Sequence, residues 1–339
     1  MAAITPSWVT INPSHQEPRI ITQYNQASGF CQLLATGDPI PQLDSEDKFV
    51  YIKRMDLRTL MNTGPAAGNQ LPSVNLALSQ IRCPTYIQRV RVEYDHHDSA
   101  MAGKWGFGLP EAYRLGTQQA HFQLLRDKCL YGALPGYGEG LINTASATAL
   151  SLPADSFGAD TARTYDNGQM ATFLAGQILA IKSATYTLGI PRRFALLGPQ
   201  RILGQFAYPN VVQLTSYQRP GAGSDTTAGM FAEILKGNGD AVEWGYDDTL
   251  IGQGTGGTDM VIISMPEVEP THTSKIDTNK FATLAQGFNA NTLMYTDMVA
   301  PMEIPTPIPG GAIDIVSEMR ATPGWGVRPE ALRLVSMAW

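Results

Sequence analysis

The stretch that most constrains this chain is GLPEAYRLGTQQAHFQLLRDKCLYGALPGYGEGLIN, residues 108–143, because it predicts one unusually long helix and the turn that follows it. Pro110 suits a first helical turn, where a missing N–H costs nothing, and Glu111 complements the positive end of the helix dipole. Ala112, Leu115, Phe122, Leu125 and Cys129 recur three, four or seven residues apart, which predicts a single apolar stripe turned toward a core. Gly132 and Pro135 close the helix. A helix from Leu109 to Tyr131 is roughly 34 Å long at 1.5 Å per residue, more than most helices inside a domain. Glycines at 136, 138 and 140 then space a turn that leads into Leu141-Ile142-Asn143.

A long helix followed by this glycine-spaced turn resembles the major capsid proteins of tailed bacteriophages, in their encapsulin-like branch. There a "spine" helix crosses the subunit and a G-x-G-L-x-N element follows, which Gly138, Gly140, Leu141 and Asn143 match. The order of the remaining segments agrees with the resemblance over essentially the whole chain.

Residues 1–46, rich in Pro, Gln, Ser and Thr with scattered apolar residues, fit either a disordered tail or an extended arm. The resemblance implies the arm. Lys48–Met61 starts with β-branched and aromatic residues, Gly64-Pro65, Gly68 and Pro72 interrupt it, and TYIQRVRVEYDHH then alternates with a period of two. These two extended runs predict a long hairpin within 47–105, the extended "E-loop" of the capsid family. Such a two-stranded ribbon is marginal in water unless a neighbour covers it. Asp166 or Asn167 caps a second helix whose apolar face is Met170, Phe173, Leu174, Ile178 and Ile181, ending near Gly189. RRFALLG is a short strand, PQRILGQF a short helix or turn, VVQLTSY a strand, AGMFAEILKG a helix and MVIISMP a strand. Prolines at 301, 305, 307 and 309 exclude a regular central strand there. VRPEALRLVSM reads as a turn and a closing strand.

The expected fold class is therefore α+β, the tailed-phage major capsid fold. Its divisions are an N-terminal arm (1–46), the hairpin region (47–105), a peripheral domain with the spine helix (106–189), an axial domain (190–272) and a return to the peripheral domain (273–339).

Composition narrows the function. Only 16% of the 339 residues are charged against 43% hydrophobic, a balance that fits subunits meeting other subunits. A net charge of −6 argues against a chain whose main task is gripping nucleic acid, though not against one facing packed DNA across counterions. The three cysteines, Cys31, Cys83 and Cys129, lack metal-ligand spacing and read as free thiols of a reducing cytoplasm. The N-terminus carries no basic-then-apolar signal pattern, and no apolar run is long enough for a membrane span.

Nothing converges on catalysis. Gly252, Gly254 and Gly257 satisfy G-x-G-x-x-G, but a strand follows where a dinucleotide site needs a helix. His96 and His97 in a continuing strand would point to opposite faces, so a metal site there requires a bend. His121 reads as a core-edge or interface histidine. No catalytic, cofactor-binding or metal-ligating residue is assigned and no cofactor is expected. Lys53, Arg54 and Arg58, together with Arg89 and Arg91, make the hairpin region basic. They are the candidate inter-subunit contacts, pairing with carboxylates of a neighbouring subunit. By the resemblance, the partners are other copies of the chain in hexamers and pentamers, a separate scaffolding protein, a portal, a decoration protein and double-stranded DNA bound without sequence specificity. Its place is the virion capsid, assembled in the bacterial host cytoplasm. The alternative within the fold is an encapsulin-type compartment; a metabolic α/β enzyme is the alternative outside it.

Overall fold

The computed structural model describes residues 43–44, 46–59, 74–104, 106, 108–156, 158–185, 187–208, 226–266, 294–295, 299, 301–309, 311–326 and 328–339. For 52–59, 74–79, 81, 135, 294 and 295 it describes the backbone alone. The expected N-terminal arm therefore lies almost wholly outside the described residues, as does the expected strand VVQLTSY.

In chain order the elements are β1 (Phe49–Thr59), β2 (Val74–Pro84), β3 (Tyr86–Asp95), α1 (His96–Lys104) and α2 (Leu109–Tyr131). Then come β4 (Thr148–Ser151), α3 (Asn167–Ala184), β5 (Arg193–Gly198), α4 (Gln200–Gln205) and α5 (Thr227–Lys236). The chain ends with β6 (Ala241–Tyr246), β7 (Asp259–Ser264), β8 (Met294–Tyr295), β9 (Met302–Ile308), β10 (Ala312–Ala321), β11 (Trp325–Gly326) and β12 (Leu332–Met337). No helix among the described residues is long and apolar enough to cross a membrane.

The main core lies on a mixed five-stranded sheet of order β4-β12-β7-β5-β6. Its middle strands are buried on both faces: all six residues of β7 and all six of β12 are buried, and the centre of β7, MVII, reads as an unbroken apolar run. On it pack Met170, Leu174, Ile178 and Ile181 of α3 and Phe231 of α5. Trp244 meets Phe206 and Phe231 edge-on, with centroids 6.4 and 5.9 Å apart. Asp166 caps α3 by accepting from the Gln169 N–H at 2.8 Å. The helix stops at Ala184, with Thr185 as its C-cap, one turn before the expected Gly189.

Buried among these helices, Lys182 Nζ lies 2.9 Å from both carboxylate oxygens of Asp240, and Asp240 also accepts from the Arg192 N–H. Boundaries at 189/190 and 272/273 do not divide this body. Residues 148–184 and 332–337 pack into it together with 193–264, because β12 is hydrogen-bonded to β4 on one side and to β7 on the other.

A second, three-stranded sheet of order β3-β10-β9 carries α2. Pro305 and Pro307 fall on β9, an edge strand, where a missing N–H breaks no ladder. The third unit is the ribbon β1–β2, eleven antiparallel pairs from Phe49↔Pro84 to Thr59↔Val74, whose strands pair with no other strand among the described residues. This corrects the expected hairpin. Its return strand is 74–84, and the alternating run 86–95 instead pairs with β10 in the three-stranded sheet.

Candidate assembly surface

The ribbon is held at its root by backbone groups. The Thr85 N–H donates to the Lys48 carbonyl at 3.1 Å. The Thr85 hydroxyl and the Arg320 guanidinium both donate to the Asp47 carbonyl at 2.6 Å. Beside them Tyr86 donates its hydroxyl to Glu139 at 2.8 Å. Glu139 is buried and also accepts from the Ala133 and Leu134 N–H groups, so one carboxylate joins the ribbon root to the turn after α2. Cys83, the next-to-last residue of β2, is fully buried, and that burial, reinforced by the Glu139 charge, pushes its thiol up to about 12. Burial and then the Glu139 hydrogen bond raise the Tyr86 hydroxyl likewise.

The turn itself explains why its glycines occur where they do. Gly140 has φ 88°, and a Cβ there would lie 2.5 Å from backbone atoms of Tyr131 and Gly132, so only glycine lets the turn fold back on the end of α2. Its N–H donates to the Gly324 carbonyl at 2.8 Å. Leu141 then drops into the core, and the Asn143 amide donates to the Tyr131 and Glu139 carbonyls, satisfying an orphan acceptor at the helix end.

α2 runs over the three-stranded sheet with an unexpected face inward. Thr117 and His121 are buried, and His121 Nε2 lies 2.9 Å from the Ser317 hydroxyl of β10. Desolvation holds this imidazole below its ordinary value. Leu115 and Phe122, expected in the buried stripe, are 47% and 60% exposed, on the side of the helix away from the sheet. Only toward its C-terminus, at Cys129 and Leu130, does α2 enter the main core.

The five basic candidates separate. Arg89 and Arg91 lie on β3, and the chain itself supplies their partners: Arg89 Nε is 2.7 Å from Glu318, and Arg91 Nε is 3.0 Å from both oxygens of Asp314. Antiparallel pairing puts Glu318 directly opposite Arg89 and Asp314 on the diagonal from Arg91, so pairing with a neighbouring subunit is not needed. Arg114 on α2 is matched in the same way by Glu303 of β9. Lys53, Arg54 and Arg58 do lie on the ribbon, opposite Gln80, Ser79 and Asn75 in backbone register. Their side chains lie outside the described residues.

Aspartates hold several turns: Asp155 accepts from the Ala159 and Asp166 N–H groups, Asp247 from Thr249, and Asp248 from Gln200. Gly252–Gly257 is a loop that opens into β7.

No family model matches the sequence, and neither does any curated protein. Among solved structures the chain is similar to the capsid of the Myoviridae phage XM1, with a TM-score of 0.62 over 96% of both chains at 12% identity. It is similar to the capsid of the cyanophage P-SCSP1u, with a TM-score of 0.56 over 96% of this chain and 92% of the other at 11% identity. The capsid of an empty GTA particle gives 0.56 over 97% and 96% at 9% identity. This is the tailed-phage major capsid fold. In the terms of that fold, α2 is the spine helix and β1–β2 the E-loop. With identities this low the likeness covers the path of the chain, and the residue contacts above belong to this chain alone.

Proposed function

We propose that many copies of this chain tile a closed icosahedral shell around phage double-stranded DNA, as the capsid protein of a virion assembled in the bacterial cytoplasm. The carrying observation is the ribbon. Its eleven residue pairs, roughly 37 Å at about 3.4 Å per residue, join no other strand among the described residues. A two-stranded ribbon of this kind is marginal alone, and the surface of another copy supplies the missing contacts. Leu115 and Phe122 on the exposed side of the spine helix support the same reading. The role is mechanical: several modest contacts made together by the ribbon and the two sheet-based halves act at high local concentration. In this reading the three-stranded sheet with α2 is the peripheral domain and the five-stranded body the axial one. Lys53, Arg54 and Arg58, carried by the ribbon, are its proposed contacts to carboxylates of the adjacent copy.

The test is electron microscopy with light scattering on the expressed protein. Closed shells or capsomer rings are expected, and a monodisperse single chain at high concentration overturns the proposal. The contents of particles made in the phage's own host separate a DNA container from an encapsulin-type compartment holding a cargo protein. Proteins recovered with those particles test for a scaffold, a portal and a decoration protein.

A further inference from the structure

Strand β3 ends at Asp95 and α1 begins at His96 with no loop between them. A continuing strand would have sent the side chains of 96 and 97 to opposite faces. The turn into helix brings them together instead, with ring centroids 3.9 Å apart. Asp95 Oδ1 accepts from the His96 backbone N–H at 2.6 Å and lies 2.6 Å from His96 Nδ1. One ligand atom from each of Asp95, His96 and His97 lies within 4.8 Å of the other two. The β9–β10 turn closes over this corner at Gly311, which has φ 93°. A Cβ there would stand 2.8 Å from His96 Nδ1, so glycine allows the turn to rest against the imidazole.

We propose that this corner binds a divalent transition-metal ion of the Zn²⁺, Co²⁺ or Ni²⁺ class through His96, His97 and the Asp95 carboxylate. Two imidazoles and one carboxylate suit these ions, whereas Mg²⁺ and Ca²⁺ prefer all-oxygen sets. Neighbouring ligands on a tetrahedral ion with bonds of about 2.0–2.1 Å stand about 3.3 Å apart. These side chains reach that spacing by small rotations, since His96 is 59% and Asp95 40% exposed. An ion at His96 Nδ1 takes the place of the hydrogen bond to Asp95, the neutral imidazole then carrying its one N–H on Nε2. The positive end of α1 opposes a cation here. Asp95 offsets it, as does Asp98, whose carboxylate accepts from the Asp95 N–H at 3.4 Å. Three ligands leave a coordination position for water or for a group from another copy.

The experiment uses the untagged full-length chain, stripped with chelator and dialysed, titrated with Zn²⁺ by calorimetry and with Co²⁺ by visible absorption. Wild type, His96→Ala and His97→Ala are compared, with circular dichroism confirming that each is folded. His15, His121 and His272 remain in all three as background. One saturable site per chain is expected, about tenfold weaker or worse in each variant, since even outer partners of a metal ligand contribute that much. Should His96→Ala disturb the Gly311 turn, His97→Ala alone decides. No saturable binding, or one isotherm shared by wild type and the folded variants, overturns the site.

Discussion

The five-stranded and the three-stranded sheet hold their helices by different chemistry. Where α3 and α5 cover the five-stranded sheet, Leu174, Ile178, Ile181, Phe231, Leu196 and Ile262 are each 2% exposed or less, and the buried Lys182–Asp240 pair is bidentate. Where α2 crosses the three-stranded sheet, the buried groups include the polar Thr117, His121 and Ser317, beside a stack of Tyr113 on Tyr94. Among the described residues, both amide atoms of the buried Gln88 and the Nδ1 of His121 have no hydrogen-bond partner. The first half is closed on its own. The second turns polar groups inward and leaves Leu115 and Phe122 outward. Difference in packing thus separates a half closed by apolar burial from the half to which the proposed function gives the assembly contacts.

The comparison can be broken most directly in the closed half. Asp240→Ala leaves Lys182 buried and unpaired, and should cost roughly 3–5 kcal/mol in urea unfolding of the subunit. A loss under about 1 kcal/mol would mean that water reaches Lys182 and that this half is not closed.

At the junction of ribbon and spine, Glu139→Gln weakens three hydrogen bonds and loosens the root. Cys83 reports it: wild type should label slowly with a thiol reagent at pH 8, its thiol being buried and raised to about 12, and the variant several-fold faster. Equal labelling rates would remove Glu139 as the link.

On the open half, Leu115→Ser with Phe122→Ser should leave subunit stability within about 0.5 kcal/mol per site while reducing the yield of particles. A large loss of subunit stability instead would show that the helix buries this face within its own chain.

The smallest effect is expected from acid. His121 is held neutral by burial, so its folded-state value lies below the ordinary 6.5 while the unfolded chain titrates normally. As pH falls through the window beneath about 6.5, the unfolded state binds the extra proton and stability declines, levelling off once the folded imidazole also protonates. Hydrogen exchange should therefore quicken under α2 before it does under α3, and His121→Gln should remove the difference. Acid loosening that begins in the five-stranded half would reverse the comparison.

How much of this could be read from residues alone follows from the range of the interactions. The extent of α2, its proline entry and glycine exit, the Asp166 cap of α3 and the alternation of β3 are set by groups within about four residues of one another, and all were legible in the sequence. So was the demand for glycine at 140, as part of a spaced turn. Which face of α2 goes inward was not: periodicity marks Leu115 and Phe122 as a stripe, but a sheet presenting Gln88 and Ser317 chose Thr117 and His121 instead. The pairing of 49–59 with 74–84, the capture of Arg89 by Glu318 and the union of 148–151 with 332–337 likewise join distant segments. The convergence of Asp95, His96 and His97 depends on a strand turning into a helix within one residue. Local backbone preference is written along the chain; the choice of partner is made only when the folded surfaces meet, because burial energy belongs to pairs of surfaces and not to either one.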